Sequence, residues 1–201
     1  MKNDNSVRER IVEAGIKLFL ANGFAGTSVK QLAEAAGVAK GTLYWHFKSK
    51  DQILEEIFDR FATEFYEPLF KKVEECDGDF LTKFKVYYKT ITESALEKKE
   101  LVMVCTTISG ELAGTNTDAE RKIRDIQMKF HDFNKRLLEY GKKEGTIPAD
   151  CDTDTQAHIL LGSFAGMHLQ WYLFEQSFDA GAYARAYRWS ILRGLGVKSA
   201  E

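Results

Sequence analysis

The chain has 201 residues, 44% hydrophobic and 29% charged, with 28 Lys and Arg against 30 Asp and Glu. Two prolines and 15 glycines exclude a collagen-like or low-complexity chain, and this hydrophobic share at a net charge of only -2 excludes a disordered one. No run approaches the roughly 18 apolar residues of a membrane span, and the first twenty residues interleave Arg, Glu and Lys with apolar ones, so no signal peptide is visible and a cytoplasmic protein with no membrane partner is expected.

The pattern Val7, Ile11, Ala14, Leu18 predicts a first helix, opened by a capping box of Ser6 with Glu9 and stopped at Asn22-Gly23. A second helix opens at Thr27-Ser28, with Gln31 completing a box with Ser28, carries Val29, Leu32, Ala33 and Ala36, and ends at Gly37. A third spans about 39–46, with Leu43 and Phe47 inward. Ser49 and Gln52 cap a fourth, whose stripe runs Ile53, Ile57, Phe58, Phe61, Phe65 until Pro68 kinks or ends it. Phe80, Phe84, Tyr87, Ile91 and Ala95 form a fifth stripe. Leu101–Ile108 has the composition of a strand, but no partner strand exists elsewhere, so a short buried helix is expected. Thr117 and Glu120 cap a long helix stopped near Gly141 or Gly145. Thr153 and Gln156 cap the next, which runs to about Gln176. Asp179 starts the last, and Gly194 and Gly196 finish it. The expected fold is all-α, with about nine helices.

Charge is unevenly placed. Residues 1–50 hold 8 Lys and Arg against 4 Asp and Glu, a balance of +4, which leaves -6 for residues 51–201. A polyanion footprint therefore belongs to the first quarter. There, the second and third helices are separated only by Gly37-Val38-Ala39. A glycine in a tight turn, small residues where helices cross, and a short following helix with a polar outer face have the spacing of a helix-turn-helix. Lys40, Thr42, Tyr44, Trp45 and His46 are left facing outward. A helix lying in a major groove can use such a set, whereas a merely solvated helix rarely exposes Tyr, Trp and His together.

The run from Thr27 to Lys50, above all Gly41-Thr42-Leu43-Tyr44-Trp45-His46-Phe47 with Lys50, resembles the signature of the tetracycline-repressor (TetR) family, densely over about residues 7–58. The resemblance implies a helix-turn-helix DNA-binding domain over 1–50 and a ligand-binding and dimerisation domain over 51–201. It implies that Lys40, Gly41 and Thr42 face base edges, Gly41 by close approach because it has no side chain. Tyr44 and His46 should reach phosphates, as should Lys50 and Thr27. Capping of its own helix is the alternative for Thr27, packing on the first helix for Tyr44, and a domain interface for Trp45.

A lone helix-turn-helix has too small a footprint for a tight specific site, so a homodimer is expected. Gly162 and Gly166, with Ala182, Ala186 and Trp189, offer a close-approach face for it. Phe61, Phe65, Phe84, Tyr87, Tyr88, Met103, Phe130, Phe133, Phe164, Met167, His168 and Trp171 are candidate lining for an apolar ligand site, with core packing as the alternative for each. The stripes contain no Arg, so an apolar or aromatic ligand is expected and a highly charged metabolite is not.

Other chemistry is thinly supported. Cys76, Cys105 and Cys151 form neither a disulfide framework nor a C-x-x-C pair. Ser163 does not sit in a G-x-S-x-G elbow, and His158 and His168 are about 15 Å apart along a helix, too far for one metal. No catalytic residue, metal or cofactor is expected. The whole reads as a ligand-responsive transcriptional repressor on palindromic operator DNA, with coupling through the fourth helix. The alternatives are a helical enzyme and a helical structural protein without DNA binding.

Overall fold

The computed structural model describes residues 2–174, 177 and 179–197. Among these residues there is no strand. The elements are α1 (Lys2–Asn22), α2 (Val29–Ala35), α3 (Lys40–His46), α4 (Lys50–Phe61), a π-helical turn (Ala62–Tyr66), α5 (Glu67–Glu74), α6 (Phe80–Glu97), α7 (Lys99–Leu112), α8 (Asp118–Lys143), α9 (Thr153–Leu173) and α10 (Ala180–Gly194). Because α4, the π turn and α5 follow without a break, the described chain forms nine continuous helical runs, as the apolar periodicity implied.

Several ends follow the local chemistry. Ser28 caps α2 and Gln31 closes the box, its carboxamide oxygen accepting from the Ser28 backbone N–H at 2.8 Å. Gly37, at φ +64°, makes the left-handed turn out of α2: its N–H donates to Glu34, and that of Val38 to Ala33. Pro68 does not end the fourth helix. Its missing N–H falls at the start of α5, and the ladder widens to a π turn just before it. The Leu101–Ile108 segment is helical within α7, and Leu101 to Cys105, Ile108 and Leu112 are buried.

Other expected ends shift. Ser6 lies inside α1, which already runs from Lys2, so it does not cap that helix. Asp152, not Thr153, caps α9, because its carboxylate accepts from the N–H groups of both Asp154 and Thr155. The expected end of α9 at Gln176 lies outside the described residues; α9 ends at Leu173.

Packing divides the chain into two units, residues 1–63 with 98–126, and residues 64–97 with 127–201. This differs from the expected division at residue 50, since the unit that holds α2 and α3 also contains α4, α7 and the start of α8. In the first unit Ile11, Phe19, Leu32, Leu43, Phe47, Ile53, Leu54 and Phe58 are sealed from solvent. Arg60 ties α4 to α1 through Glu13 at 2.8 Å and Glu9 at 3.1 Å. In the second unit the core is aromatic. Phe65 meets Phe164, Phe164 meets Phe130, and Tyr87 meets Phe84, Tyr88, Phe130 and Phe133, all with ring centroids 5.2 to 6.4 Å apart.

Candidate nucleic-acid interface and ligand site

The inner face of α3 is fixed by burial: Leu43 is fully buried and Phe47, at its C-terminal cap, nearly so. A seven-residue helix with two such anchors has little rotational freedom about its axis, so its remaining side chains are presented outward. Lys40, Gly41 and Thr42 are exposed. Tyr44 is 40% and Trp45 66% exposed, far more than aromatics are usually left when nothing covers them. The Lys40 ammonium lies 5.8 Å from the Tyr44 ring, and Trp45 meets the half-buried His46 edge-on at 4.7 Å. A Cβ built on Gly41 would touch nothing within 4 Å. The fold therefore leaves room there that it does not use.

α3 is held from behind. Arg8 of α1 lies over the Phe47 ring at 4.3 Å, donates to the His46 carbonyl at 3.4 Å and pairs with Glu56 of α4 at 2.7 Å. One guanidinium thus locks the end of α3 to two neighbouring helices.

Two expected phosphate contacts have other work. Thr27 is buried, and its hydroxyl donates to the carbonyls of Gly23 at 2.8 Å and Leu18 at 3.2 Å. Its backbone N–H donates to Phe24. No donor of Thr27 is left for a phosphate, so it drops out of the interface and serves the turn before α2. The Lys50 ammonium donates to the carbonyls of Phe24 at 2.8 Å and Thr27 at 3.1 Å and lies over the Phe24 ring at 4.4 Å. With two of its three protons used, Lys50 first of all anchors the loop between α1 and α2. Glu111 of α7 holds the same loop, its carboxylate accepting from the N–H groups of Phe24 and Ala25. Neither anchor shows in a periodicity reading, because the partners lie 26 and 87 residues apart.

The ligand candidates separate by unit. Phe61 and Met103 are buried in the first unit, and the other ten lie in the second. Of those ten, Phe65, Phe84, Tyr87, Phe130, Phe133 and Phe164 pack ring on ring in the core, joined by Tyr66, Phe70 and Phe80. Met167, His168 and Trp171 line a small apolar recess of about 20 Å³, room for roughly one water, with Thr92, Ala95, Leu96 and Tyr183. His168 is buried, and its Nδ1 lies 2.8 Å from the Phe164 carbonyl. A carbonyl only accepts, so Nδ1 carries the proton and Nε2 of the neutral ring is an acceptor. Burial lowers the pKa of this imidazole, against the opposing pull of that hydrogen bond.

Beside this recess, and sharing Thr92 and Leu96 with it, runs a groove of about 380 Å³ that includes Tyr88. Its rim carries Lys85 and Lys89 of α6 and Arg185 and Arg188 of α10; Lys89 pairs with Glu93 and Arg185 with Asp179, each at 3.9 Å. The sequence reading missed these cations because α10 contributed no apolar stripe to the expected pocket. Deeper in the same unit, Asn134 is fully buried beside the Tyr87 hydroxyl and makes no hydrogen bond of regular geometry.

The small faces at Gly162 and Gly166 are exposed on α9, and a Cβ at either would meet nothing within 4 Å. Ile159, Leu169 and Leu173 share that helix and are 43 to 66% exposed. On α10, Ala182, Ala186 and Trp189 are exposed. Among the described residues no helix is long and apolar enough to cross a membrane.

A short helix presented outward by a two-point anchor, after a glycine turn, with no strand among the described residues, is the arrangement of a helix-turn-helix DNA-binding transcriptional regulator. Residues 11–57 match the family described as bacterial regulatory proteins, tetR family. The chain is 28% identical over 182 residues to the HTH-type transcriptional regulator AcrR of Shigella flexneri, covering 90% of this chain and 85% of that one. The match to the family model lies in the segment that holds α2, α3 and most of α4. The MbdR regulator from Azoarcus sp. CIB shares the fold, with a TM-score of 0.84 at 23% identity, over 94% of this chain and 98% of that one. So does FadR of Bacillus subtilis, solved in complex with stearoyl-CoA, with a TM-score of 0.77 at 24% identity, over 94% and 97%.

Proposed function

We propose that the protein is a homodimeric repressor that sets α3 of each subunit in successive major grooves of a pseudo-palindromic operator. Release follows when an amphipathic ligand, an apolar body with an anionic head, occupies the site among α6, α9 and α10. Lys40 and Thr42 read base edges, Gly41 allows close approach, and Tyr44, Trp45 and His46 follow the backbone. The exposed face around Gly162 and Gly166, with Ala182, Ala186 and Trp189, is the dimer seam. A Cβ at Gly162 or Gly166 would meet nothing within 4 Å of its own chain, which leaves room for close approach of a second copy.

The observation that carries the ligand reading is the pairing of an apolar recess with a rim of four cations. Buried apolar area supplies affinity at ~25 cal/mol/Å², and the guanidinium and ammonium groups supply donors for a phosphate or carboxylate head. A purely apolar ligand uses only half of this site. The complex of the FadR fold relative with stearoyl-CoA supports a ligand of this chemistry. The ligand acts by binding better to a state in which the recognition helices are spaced wrongly for the operator.

The test is operator release and thermal shift with a long-chain acyl-CoA, free coenzyme A and a neutral apolar compound of equal chain length. The acyl-CoA stabilises the protein and releases DNA, while coenzyme A alone does neither. The double variant Lys89→Glu, Arg188→Glu keeps operator binding and loses the response. A response to the neutral compound alone, or an unchanged response in the double variant, refutes the anionic head.

A further inference from the structure

His131 of α8 and Asp154 and His158 of α9 bring two imidazole nitrogens and a carboxylate oxygen within 4.8 Å of one another. Asp154 and His158 are one helical turn apart and share a face. Neither belongs to the recess or the groove described above. His131 is buried, and both of its ring nitrogens meet oxygens: Nδ1 lies 3.2 Å from Oδ1 of Asp132, and Nε2 lies 3.3 Å from the Asp154 carbonyl and 3.9 Å from its carboxylate. A carbonyl oxygen and an ionised carboxylate only accept, and a neutral imidazole has a single proton to give. An ion arriving at Nε2 leaves the single proton of the neutral ring on Nδ1, where the Asp132 carboxylate accepts it. The Nε2 lone pair then faces the side of Asp154, with the His158 ring packed 4.2 Å away. A lone pair, a carboxylate and a second imidazole turned toward one point leave a place suited to a cation.

We infer that His131, Asp154 and His158 form a binding site for a borderline divalent transition ion of the zinc type, with Asp132 orienting His131 from behind. Two nitrogens and one oxygen suit zinc, cobalt or nickel, whereas magnesium and calcium prefer all-oxygen sets. A carboxylate holding the far nitrogen of a ligating histidine is the usual support for such a site. Tetrahedral bonds of about 2.0–2.1 Å place ligand atoms about 3.3 Å apart. The exposed side chains of Asp154 and His158 are the ones that turn to close to that distance. Lys135 competes: its ammonium lies 2.6 Å from Oδ1 of Asp154 and must yield that oxygen to the ion. The bound ion ties the middle of α8 to the first turn of α9, with water completing its shell.

The experiment uses the full chain without a polyhistidine tag, stripped with chelator and titrated with Zn²⁺ by calorimetry and with Co²⁺ by visible absorption. One ion binds per chain, cobalt gives tetrahedral ligand-field bands without a thiolate charge-transfer band, and Zn²⁺ raises the melting temperature while Mg²⁺ at equal concentration does not. His158→Ala and Asp154→Ala, both at exposed positions, each weaken binding at least about tenfold, and Asp132→Asn weakens it about 10- to 100-fold. Lys135→Met tightens it, a gain that general damage to the fold does not produce. The inference is overturned by the absence of saturable binding near one ion per chain, by unchanged affinity in His158→Ala, or by a thiolate band that places the ion on a cysteine. It is overturned equally if Lys135→Met binds no tighter than the parent, since the network is then only a polar clasp.

Discussion

Gly41→Ala separates what the fold needs from what DNA needs. Gly41 is the second residue of α3, and a methyl placed on it meets nothing of the protein within 4 Å. In a helix alanine is favoured over glycine by about 0.5–1 kcal/mol, because glycine loses more backbone freedom on folding. The variant is therefore expected to melt about 1–4 °C higher, the range such a gain produces in a chain of this size. On DNA the sign reverses. A methyl forced into a contact made by backbone against a base edge costs about 1–3 kcal/mol, the usual penalty of overpacking, or about 5- to 140-fold in affinity. No phosphate contact is lost, so the slope of log affinity against log salt stays the same. Thermal melting and fluorescence anisotropy on a duplex from the protein's own upstream region read both effects. A variant that binds this duplex as tightly as the parent refutes close approach at Gly41. A variant that melts lower refutes the claim that the fold leaves this space unused.

Lys50→Met removes the anchor on the Phe24 and Thr27 carbonyls; we expect a loss of about 1–2 kcal/mol in head stability and weaker binding to all duplexes, and a pure change of salt slope with no change in melting contradicts it. His168 has a lowered pKa, so the unfolded chain takes up its proton first as pH falls. Stability from this group is whole above about pH 6.5, the ordinary histidine value, and declines below it toward the folded pKa; melting curves of parent and His168→Gln between pH 5 and 8 should converge at the acid end, and parallel curves argue against it. A Cβ added at Gly166 meets no atom of its own chain within 4 Å, so Gly166→Leu should fold yet sediment as a monomer and lose operator affinity at least tenfold, and a normal dimer moves the seam elsewhere.

What was legible in the sequence was local. The Ser28–Gln31 box, the left-handed Gly37 turn and the inward Leu43 and Phe47 each depend on residues a few positions apart, and each reads directly from spacing. Periodicity counts apolar residues and is blind to where a polar side chain bonds. Thr27 looked like a donor at a helix start, but its hydroxyl turns back nine residues to Leu18. Lys50 looked like a charge for a phosphate, but it reaches back to the loop before α2. Asp152 displaced Thr153 as a cap because a carboxylate there can accept from two amides at once.

In the second unit the same blindness has a larger effect. Aromatic stripes announce a hydrophobic interior equally well whether that interior is filled or open. Phe130 and Phe133 are stacked against Tyr66 and Phe70, while Met167, His168 and Trp171, read in the same way from the sequence, line an open recess. The deciding residues are the small and polar ones between the rings. Ala95 and Thr92 leave the space that a larger side chain would close. The cations of the groove come from helices about a hundred residues apart, and so do not form a charged run in the sequence. The histidine pair is divided in the same way, with His131 on one helix and His158 on the next. The outward side chains of α3 lie along one short helix and are legible there; the groove proposed for the ligand draws its lining from α6 and α10, so it becomes visible only when the helices are packed.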